Sequence, residues 1–375
     1  MQLELDEKTQ AFRDDVRSFL APYAHLHKHL VSDGERELTA FYKAMAARNW
    51  LALAWPEEVG GLARPPIEEY VLWNEIAYRR AARIPLSIGV VAKTIIRYGT
   101  VEQKAAWLDR IRRYDITFAL AYSEPEAGSD LTGLRCTAEL RDGHYVVNGN
   151  KCWNSRAHHC DYLWLLCRTG PAGSRSAGLS LLIVDTKAPG VKIRPIRLMD
   201  GNHFTEIFFD EVVVPADCRV GPENGAWAMM AASLADERHV QFLCGRVRRD
   251  HEDVREWVRA NGLAGDPLVR RRLDELYLDV LEAEVQSLRV VEAVERGWAA
   301  SAEAAANKLV HARAIQNIAR AAMELGGPGI LLDEEGIELL WRQTMTESIG
   351  GGTTEVMTGI VAKNRLGLGG SRRAA

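Results

Sequence analysis

The 375-residue sequence predicts an α+β multidomain fold: an N-terminal α-helical domain, a middle antiparallel β-barrel or sandwich, and a C-terminal four-helix bundle. Two observations support this prediction. The apolar residues recur at helical spacing up to about residue 115, in strand-like runs from about 117 to 221, and at helical spacing again after Pro222. A chain of this length also exceeds what most single hydrophobic cores can organise. We place the predicted domains at residues 1–115, 116–222 and 223–375.

The N-terminal domain is predicted from apolar stripes. Phe12, Val16, Phe19 and Leu20 form one stripe, and residues 38–45 carry a second. Turn residues separate these segments, and a charged helix over 101–113 completes the domain. Each helix has one face to bury, so we expect this part to be all α.

The middle domain is predicted from short strands separated by turn residues. Residues 137–140 and 144–147 flank Arg141, Asp142 and Gly143, which is the pattern of a β-hairpin. Further strands are predicted over 162–167, 179–184, 191–195 and 206–214.

The C-terminal bundle is predicted from two long helical patterns. Asp266 and Pro267 suit an N-cap and a first helical turn. A second helix is expected to end at the glycines 326, 327 and 329. The predicted buried stripe of the first helix is Leu273, Tyr277, Leu281, Val285 and Leu288.

Composition excludes several classes of function. Lysine and arginine number 47 against 51 aspartates and glutamates, a net charge of −4 that gives no general attraction to nucleic acids or anionic membranes. The six cysteines form no C-x-x-C pair and no zinc spacing, so we expect reduced, mostly buried thiols and no metal site. The acidic N-terminus and the lack of a long apolar segment predict a cytoplasmic protein with no membrane or nucleic-acid partner.

The segment from Ala121 to Asp130 carries the strongest sign of a ligand. It reads A-Y-S-E-P-E-A-G-S-D between two predicted strands, with small residues that allow close approach to the backbone and hydroxyls that can hydrogen-bond a ligand. An ordinary turn is the alternative interpretation of this segment alone.

Four patterns in this order, together with the α–β–α arrangement, resemble the acyl-CoA dehydrogenase family of flavoproteins. Residues 121–130 are similar to the family's T-E-P-x-A-G-S-D, with Ser123 in place of Thr. Residues 148–155 read N-G-N-K-C-W-N-S, similar to N-G-x-K-x-W-I-[ST]. Residues 206–227 resemble the exit from the β domain, and residues 349–355, I-G-G-G-T-T-E, occupy the place of a C-terminal signature.

The resemblance implies an FAD held between the β domain and the C-terminal bundle. Ser123 and nearby amides would hydrogen-bond the pyrimidine side of the flavin, Trp153 would pack on the ring, Ser155 would lie near N5, and Ser129 would border the acyl-CoA. For Trp153 the alternative is a core aromatic. The cofactor positions implied are Tyr122, Ser123, Ser129, Trp153, Ser155, Gly326, Gly327, Thr353 and Glu355, and the substrate positions are Ser129, Arg238 and Gly352.

The catalytic base departs from the commonest family pattern. Many members carry it in Y-E-G-T, where this chain has residues 350–353, and Gly351 has no side chain to act as a base. A smaller branch carries it in a segment like L-D-L-E-R, here L-A-D-E-R, which assigns Glu237. A solvated surface residue is the alternative for Glu237, and Asp236, about 100° away around the helix, is the competing carboxylate. The backbone N–H of Gly351 can still polarise the thioester carbonyl, as the family does at this position.

Two further departures concern the flavin pyrophosphate. The family's Arg before an F-G pair corresponds to Arg259, displaced by one position before Asn261 and Gly262, and Met323 replaces a Gln. These changes suggest either a heteromeric assembly with a homologous subunit or a homo-oligomer that binds the phosphates through amides near Gly326 and Gly327.

The resemblance therefore predicts an FAD-dependent acyl-CoA dehydrogenase that forms an α,β-double bond in an acyl thioester and passes electrons to an electron-transfer flavoprotein or a similar acceptor. The alternatives are a non-catalytic or half-site subunit of a heteromeric acyl-CoA dehydrogenase and a dehydrogenase of carrier-protein-bound acyl groups. The expected assembly is a homo-oligomer or a heterotetramer with a homologous subunit.

Overall fold

The computed structural model describes residues 4–28, 35–230, 238–332 and 336–368, and it confirms helical N- and C-terminal parts with a β-sheet between them in sequence. The chain divides into two compact units. A helical unit contains Met1–Asp33, Pro65–Arg83 and Arg238–Ala375, and a sheet unit contains Gly34–Arg64 and Ile84–Glu237. The division into three domains at residues 115 and 222 stays a prediction.

Helices occupy most of the described residues on either side of the sheet. A π-helix, Ser87–Ala92, directly precedes the fourth α-helix. The α-helices are α1 (Glu7–Leu20), α2 (Glu35–Ala47), α3 (Pro66–Tyr78), α4 (Lys93–Tyr98), α5 (Val101–Arg112), α6 (Cys244–Ala260), α7 (Pro267–Glu295), α8 (Ser301–Gly326), α9 (Ile337–Thr344) and α10 (Thr354–Leu366).

The six predicted strands are present, and the sheet that they form with β1 and β8 is mixed. Its order is β6-β7-β3-β2-β4-β5-β8, with β1 also paired to β4. The pairs β1–β4 and β2–β4 are parallel and the others antiparallel, so the purely antiparallel arrangement was too simple. The strands are β1 (Phe118–Ala121), β2 (Thr137–Arg141), β3 (His144–Ser155), β4 (Tyr162–Arg168), β5 (Leu179–Asp185), β6 (Val191–Arg197), β7 (His203–Pro215) and β8 (Arg219–Val220).

The predicted hairpin is confirmed, with a turn one residue shorter than expected. Arg141 pairs with His144, which leaves Asp142 and Gly143 as the two turn residues. Both have positive φ, +48° and +79°, as a type I′ turn requires.

Local signals at helix ends are confirmed as well. The Asp266 carboxylate accepts a hydrogen bond from the Leu268 N–H at 2.7 Å, and Pro267 begins α7. Helix α8 ends at Gly326, followed by Gly327 at φ +56°. These signals involve only neighbouring residues, which is why the sequence reveals them.

The predicted buried stripe of α7 was partly wrong. Tyr277 and Leu281 are 42% and 39% exposed. The prediction advanced four residues per turn, and such a series drifts about 40° per turn around a helix of 3.6 residues per turn. Steps that alternate between three and four residues correct this drift, and they give the observed buried face of Leu273, Leu276, Val280, Ala283, Ser287 and Val290.

The cysteines are reduced, as predicted. All six are free thiols; Cys136, Cys152, Cys167 and Cys244 are buried, and the other two are half-buried. Burial raises the pKa of the Cys136 thiol to about 11, so this side chain is a neutral part of the core. No helix in the described parts of the chain is both long and apolar enough to cross a membrane.

Candidate functional site

A buried ion pair fixes the loop that follows β1 in the sheet unit. The Lys151 ammonium, on β3, lies 2.8 Å from the Glu124 carboxylate and donates to the Tyr122 carbonyl at 2.9 Å. The side chains of Lys151 and Glu124 are 0% and 7% exposed. The same carboxylate accepts the backbone N–H groups of Arg135 and Cys136 at 2.6 and 2.9 Å. With its charge and hydrogen-bonding capacity satisfied, Glu124 anchors the loop rigidly.

The end of β3 presents Trp153 outward. A register shift in the β3–β7 pairing falls between Lys151 and Asn154, and Trp153 within it has φ +63°. Asn154 turns inward, where its amide donates to the Leu120 carbonyl at 2.7 Å. Trp153 is 57% exposed, so it is not a core aromatic of the sheet unit. A large exposed aromatic at a strained backbone position is typical of a ligand platform, and its flavin contact stays a prediction.

Other predicted sheet-unit residues lie beside this platform. Ser155 is exposed on the same face of β3 as Trp153, since alternate strand residues share a face. Ser123 is half-buried, and its carbonyl accepts the Cys152 N–H at 2.9 Å, which ties the loop to β3. Ser129 is exposed farther along the loop. The structure thus brings Tyr122, Ser123, Trp153 and Ser155 to one region of the sheet unit.

The glycine turn of the helical unit precedes α10. Gly351 and Gly352 have φ of +69° and +99°, values that disfavour any residue with a side chain. The Gly350 N–H donates to the Thr346 carbonyl at 2.9 Å, and the Thr354 N–H to that of Ser348 at 3.0 Å. Gly351 is exposed, and its N–H has no acceptor among the residues that the structure describes. It is therefore available to a ligand.

Phe242 lies beside this turn. A Cβ atom on Gly351 would lie 3.4 Å from Cζ of the Phe242 ring and 3.9 Å from Nζ of Lys308, which are ordinary van der Waals distances. The Phe242 carbonyl is in turn held by the Asn307 amide at 2.9 Å. The backbone conformation of Gly351, rather than this neighbour, therefore opposes a side chain at position 351.

The candidate base lies outside the described residues, as does its competitor: Glu237 and Asp236 fall in the gap between 230 and 238. For Arg238 only the backbone is described. The segment that follows is well anchored, because His239 Nε2 lies 2.7 Å from a Glu69 carboxylate oxygen on α3 and both side chains are buried.

The remaining predicted residues have local structural roles. Thr353 caps α10, and its hydroxyl accepts the Val356 N–H at 3.2 Å. Hydrogen bonds with its own backbone N–H and with Thr353 hold the pKa of the exposed Glu355 carboxyl below its usual value. A Cβ on Gly326 would collide with Ile330, so packing explains this glycine, whereas Gly327 faces open space.

A buried lysine on α8, Lys308, was not predicted from the sequence. Lys308 is 1% exposed, and its ammonium donates to the carbonyl of Gly350 and, at 2.6 Å, to that of Gly352. Burial lowers the pKa of this ammonium, and Glu347 opposes the shift. A lysine in an otherwise apolar helix pattern was the available signal, but its partners lie more than 40 residues away in sequence.

We expect removal of the Lys151 ammonium to destabilise the protein by about 3–5 kcal/mol, because Lys151→Met leaves the Glu124 charge buried without a counter-ion. Urea unfolding measures the loss. Lys192→Met, an exposed lysine of β6, is the control and should change stability by less than about 0.5 kcal/mol. Adding Glu124→Gln to Lys151→Met should recover part of the lost stability. Equal stability of Lys151→Met and Lys192→Met would contradict this account of the loop.

Two tryptophans of the sheet unit allow a matched test of the exposed platform. Trp164 on β4 is 0% exposed, so Trp164→Ala should cost about 3–5 kcal/mol in the free energy of unfolding. Trp153→Ala should cost less than about 1 kcal/mol in the protein without bound ligand, because Trp153 contributes little to the core. Comparable losses for both variants would show that Trp153 is structural.

Comparison with protein families covers almost the whole chain. The model of the acyl-CoA dehydrogenase N-terminal domain matches residues 6–115, that of the middle domain residues 119–212, and that of the C-terminal domain residues 223–366.

Individual relatives agree with this result. Acyl-CoA dehydrogenase FadE29 of Mycobacterium tuberculosis is 34% identical, over 98% of both chains. Among solved structures, the Tcur3481–Tcur3483 steroid ACAD has a TM-score of 0.90 at 30% identity, covering 98% of this chain and 100% of that chain. The ChsE4–ChsE5 complex of Mycobacterium tuberculosis has a TM-score of 0.88 at 32% identity, covering 98% of this chain and 99% of that chain. The chain belongs to the acyl-CoA dehydrogenase family, a family of flavin-containing oxidoreductases.

Proposed function

We propose that the protein is an FAD-dependent dehydrogenase that forms an α,β-double bond in an acyl thioester, with Glu237 as the base. The conformation of Gly351 carries the proposal. Its positive φ opposes a side chain there, while its N–H lacks a partner among the described residues. The turn is thus suited to hold the thioester oxygen, and the base must come from another segment.

The residues of the sheet unit fit a flavin. Trp153 offers a flat, exposed surface, Ser155 lies on the same face of β3, and the Ser123 hydroxyl belongs to a loop that the Lys151–Glu124 pair holds in place. Tyr122, Ser129, Gly326, Gly327, Thr353 and Glu355 complete the proposed cofactor set. FAD held there would supply the redox chemistry, as the acceptor of a hydride.

The chain's own residues then have three tasks. The Glu237 carboxylate removes the α-proton of the thioester. The Gly351 N–H donates a hydrogen bond to the thioester oxygen, which stabilises the negative charge that develops as the proton leaves. Arg238, Gly352 and Ser129 border the acyl-CoA.

We further propose a bulky acyl group, such as one carried on a steroid skeleton. A solved relative at 30% identity is a steroid ACAD, and the glycines at 350–352 leave room near the reacting carbons. The described thiols, all free, are compatible with the cytoplasmic location that we propose.

Assembly with a homologous subunit is the second part of the proposal. Two relatives of at least 30% identity are named as pairs of different polypeptides. Arg259, the displaced phosphate-site residue, is exposed at the end of α6, and Met323 on α8 has no donor for a phosphate. A partner that supplies phosphate contacts would compensate, while a homo-oligomer using amides near Gly327 is the other arrangement. Electrons would pass to an electron-transfer flavoprotein or a similar acceptor.

A half-site subunit without catalysis is the competing function, favoured by the absent side chain at Gly351. An anaerobic screen of acyl-CoA thioesters separates the two. If the chain is catalytic, the protein, alone or with its partner, loses its flavin absorbance at about 450 nm when the substrate is added. Absence of bound flavin, or of bleaching by any straight, branched or steroid acyl-CoA, would support the half-site function.

We expect Glu237→Gln to slow flavin bleaching by about 10²–10⁴-fold while the flavin stays bound, since the variant lacks a general base. Asp236→Asn is the matched control and should remain within about threefold of wild type, because on the helix predicted from the sequence its side chain would point about 100° away from that of Glu237. Stopped-flow absorbance measures both. The opposite ranking would assign the base to Asp236.

A glutamate at position 351 should not restore the activity of Glu237→Gln. Gly351→Glu would place a side chain at φ +69° against Phe242, at a cost of about 1–2 kcal/mol for the backbone alone. The double variant should therefore be no faster than Glu237→Gln in the same assay. Recovery to within tenfold of wild type would show that the turn can still carry the base.

A further inference from the structure

Lys308 is a charged side chain in an unexpected place. Helix α8 packs against α6, α7, α9 and α10, and Lys308 in the first third of α8 is 1% exposed. It forms no ion pair with any described residue; its two hydrogen-bond acceptors are the carbonyls of Gly350 and Gly352. Burial of an ammonium without a carboxylate costs several kcal/mol, and an apolar residue would fill the same volume without that cost. Packing alone therefore does not explain this lysine.

The contact with Gly350 reaches the Gly351 N–H through one peptide group. The carbonyl of Gly350 and the N–H of Gly351 belong to the same planar amide, whose resonance couples oxygen to nitrogen. A cation at the oxygen withdraws electron density from the nitrogen and makes its N–H a stronger donor, as hydrogen bonds in series strengthen one another. The Gly351 N–H has no acceptor among the described residues, so this gain is available to a ligand.

The contact with Gly352 fixes the other side of the turn. Successive glycines have large conformational freedom. The backbone hydrogen bonds of Gly350 and Thr354 do not involve Gly351 and therefore do not fix its orientation. By holding the carbonyls on both sides, Lys308 determines where the Gly351 N–H points. The Phe242 ring, with its centroid 5.4 Å from Nζ, covers the ammonium and excludes water.

Lys308 is the cation next to the turn. His311, one turn along α8, is buried, and burial lowers its pKa to about 4, so it is neutral at physiological pH. The Glu347 carboxylate acts on Lys308 through space, and its own ion pair is with Arg83 at 3.6 Å.

We propose that Lys308 is a positioning residue for the reaction: it orients the glycine turn and polarises the 350–351 peptide, so that the Gly351 N–H binds the thioester oxygen more strongly as charge develops there. This inference rests on the proposed function. Lys308 contacts no reacting atom and acts only through the peptide.

The carbonyl of a bound thioester reports the polarisation directly. The probe is [1-¹³C]crotonyl-CoA bound to the flavin-loaded protein, with its partner subunit if one is required, and the measurement is the isotope-edited infrared carbonyl band. In wild type the band should shift to lower frequency on binding. In Lys308→Met it should move back towards its position in solution.

Kinetics give a second measurement on the same variant. With the best substrate of the acyl-CoA screen, Lys308→Met should lower kcat by about 10–100-fold and change KM by less than about threefold, since the lost interaction strengthens in the transition state. Lys363→Met removes an exposed charge of the same helical unit and should leave the band and kcat unchanged. Where Lys308→Met does not fold, Lys308→Gln, which retains a neutral N–H donor, is used with the same expectations.

Failure of the inference is distinct from failure of the proposed function. A Lys308 variant that is less stable but keeps the wild-type infrared band shift and the wild-type kcat would overturn the positioning role. If the wild-type protein shows no flavin bleaching with any acyl-CoA, the proposed function fails first, and the inference falls with it.

Discussion

A buried ammonium holding two glycine carbonyls is the constraint on which the glycine turn depends. Three successive glycines do not define a conformation by themselves. Gly351 and Gly352 nevertheless have defined, positive φ values, and the Lys308 ammonium donates to the carbonyls of Gly350 and Gly352. The helix that carries Lys308 also carries Asn307, which holds the Phe242 carbonyl. One turn of α8 thereby holds both the glycine turn and the residue whose aromatic ring lies beside it.

The sheet unit uses the same strategy with a different partner. Lys151 and Glu124 form a buried ion pair that fixes the loop after β1, and a register shift beyond Lys151 turns Trp153 outward. In both units a buried lysine holds a small-residue loop through hydrogen bonds to backbone carbonyls. The buried charged side chains therefore fix the conformation of loops. This is expected when a cofactor supplies the redox chemistry and the protein positions the reacting groups.

Much of the fold could be predicted from the sequence because its signals are local. The β2–β3 hairpin, the Asp266 cap and the end of α8 depend on residues a few positions apart. The long-range contacts could not be predicted: Lys151 meets a partner 27 residues away and Lys308 partners 42 and 44 residues away. The α7 stripe failed at Tyr277 and Leu281 because a fixed four-residue step does not match the helical period. For the candidate site, the motifs identified Trp153 and the glycine turn, while nothing local in the sequence indicates what orients them.

The central claim is that proton removal and carbonyl polarisation reside on different segments, Glu237 and the Gly351 turn. Exchange of α-protons tests it most directly, with 3,3-dimethylbutyryl-CoA as the probe, because this thioester has α-hydrogens and no β-hydrogen to transfer. The flavin-loaded protein is incubated with it in D₂O and deuterium at the α-carbon is followed by NMR. We predict incorporation with wild type and its loss in Glu237→Gln. Wild-type exchange in Glu237→Gln would contradict the account.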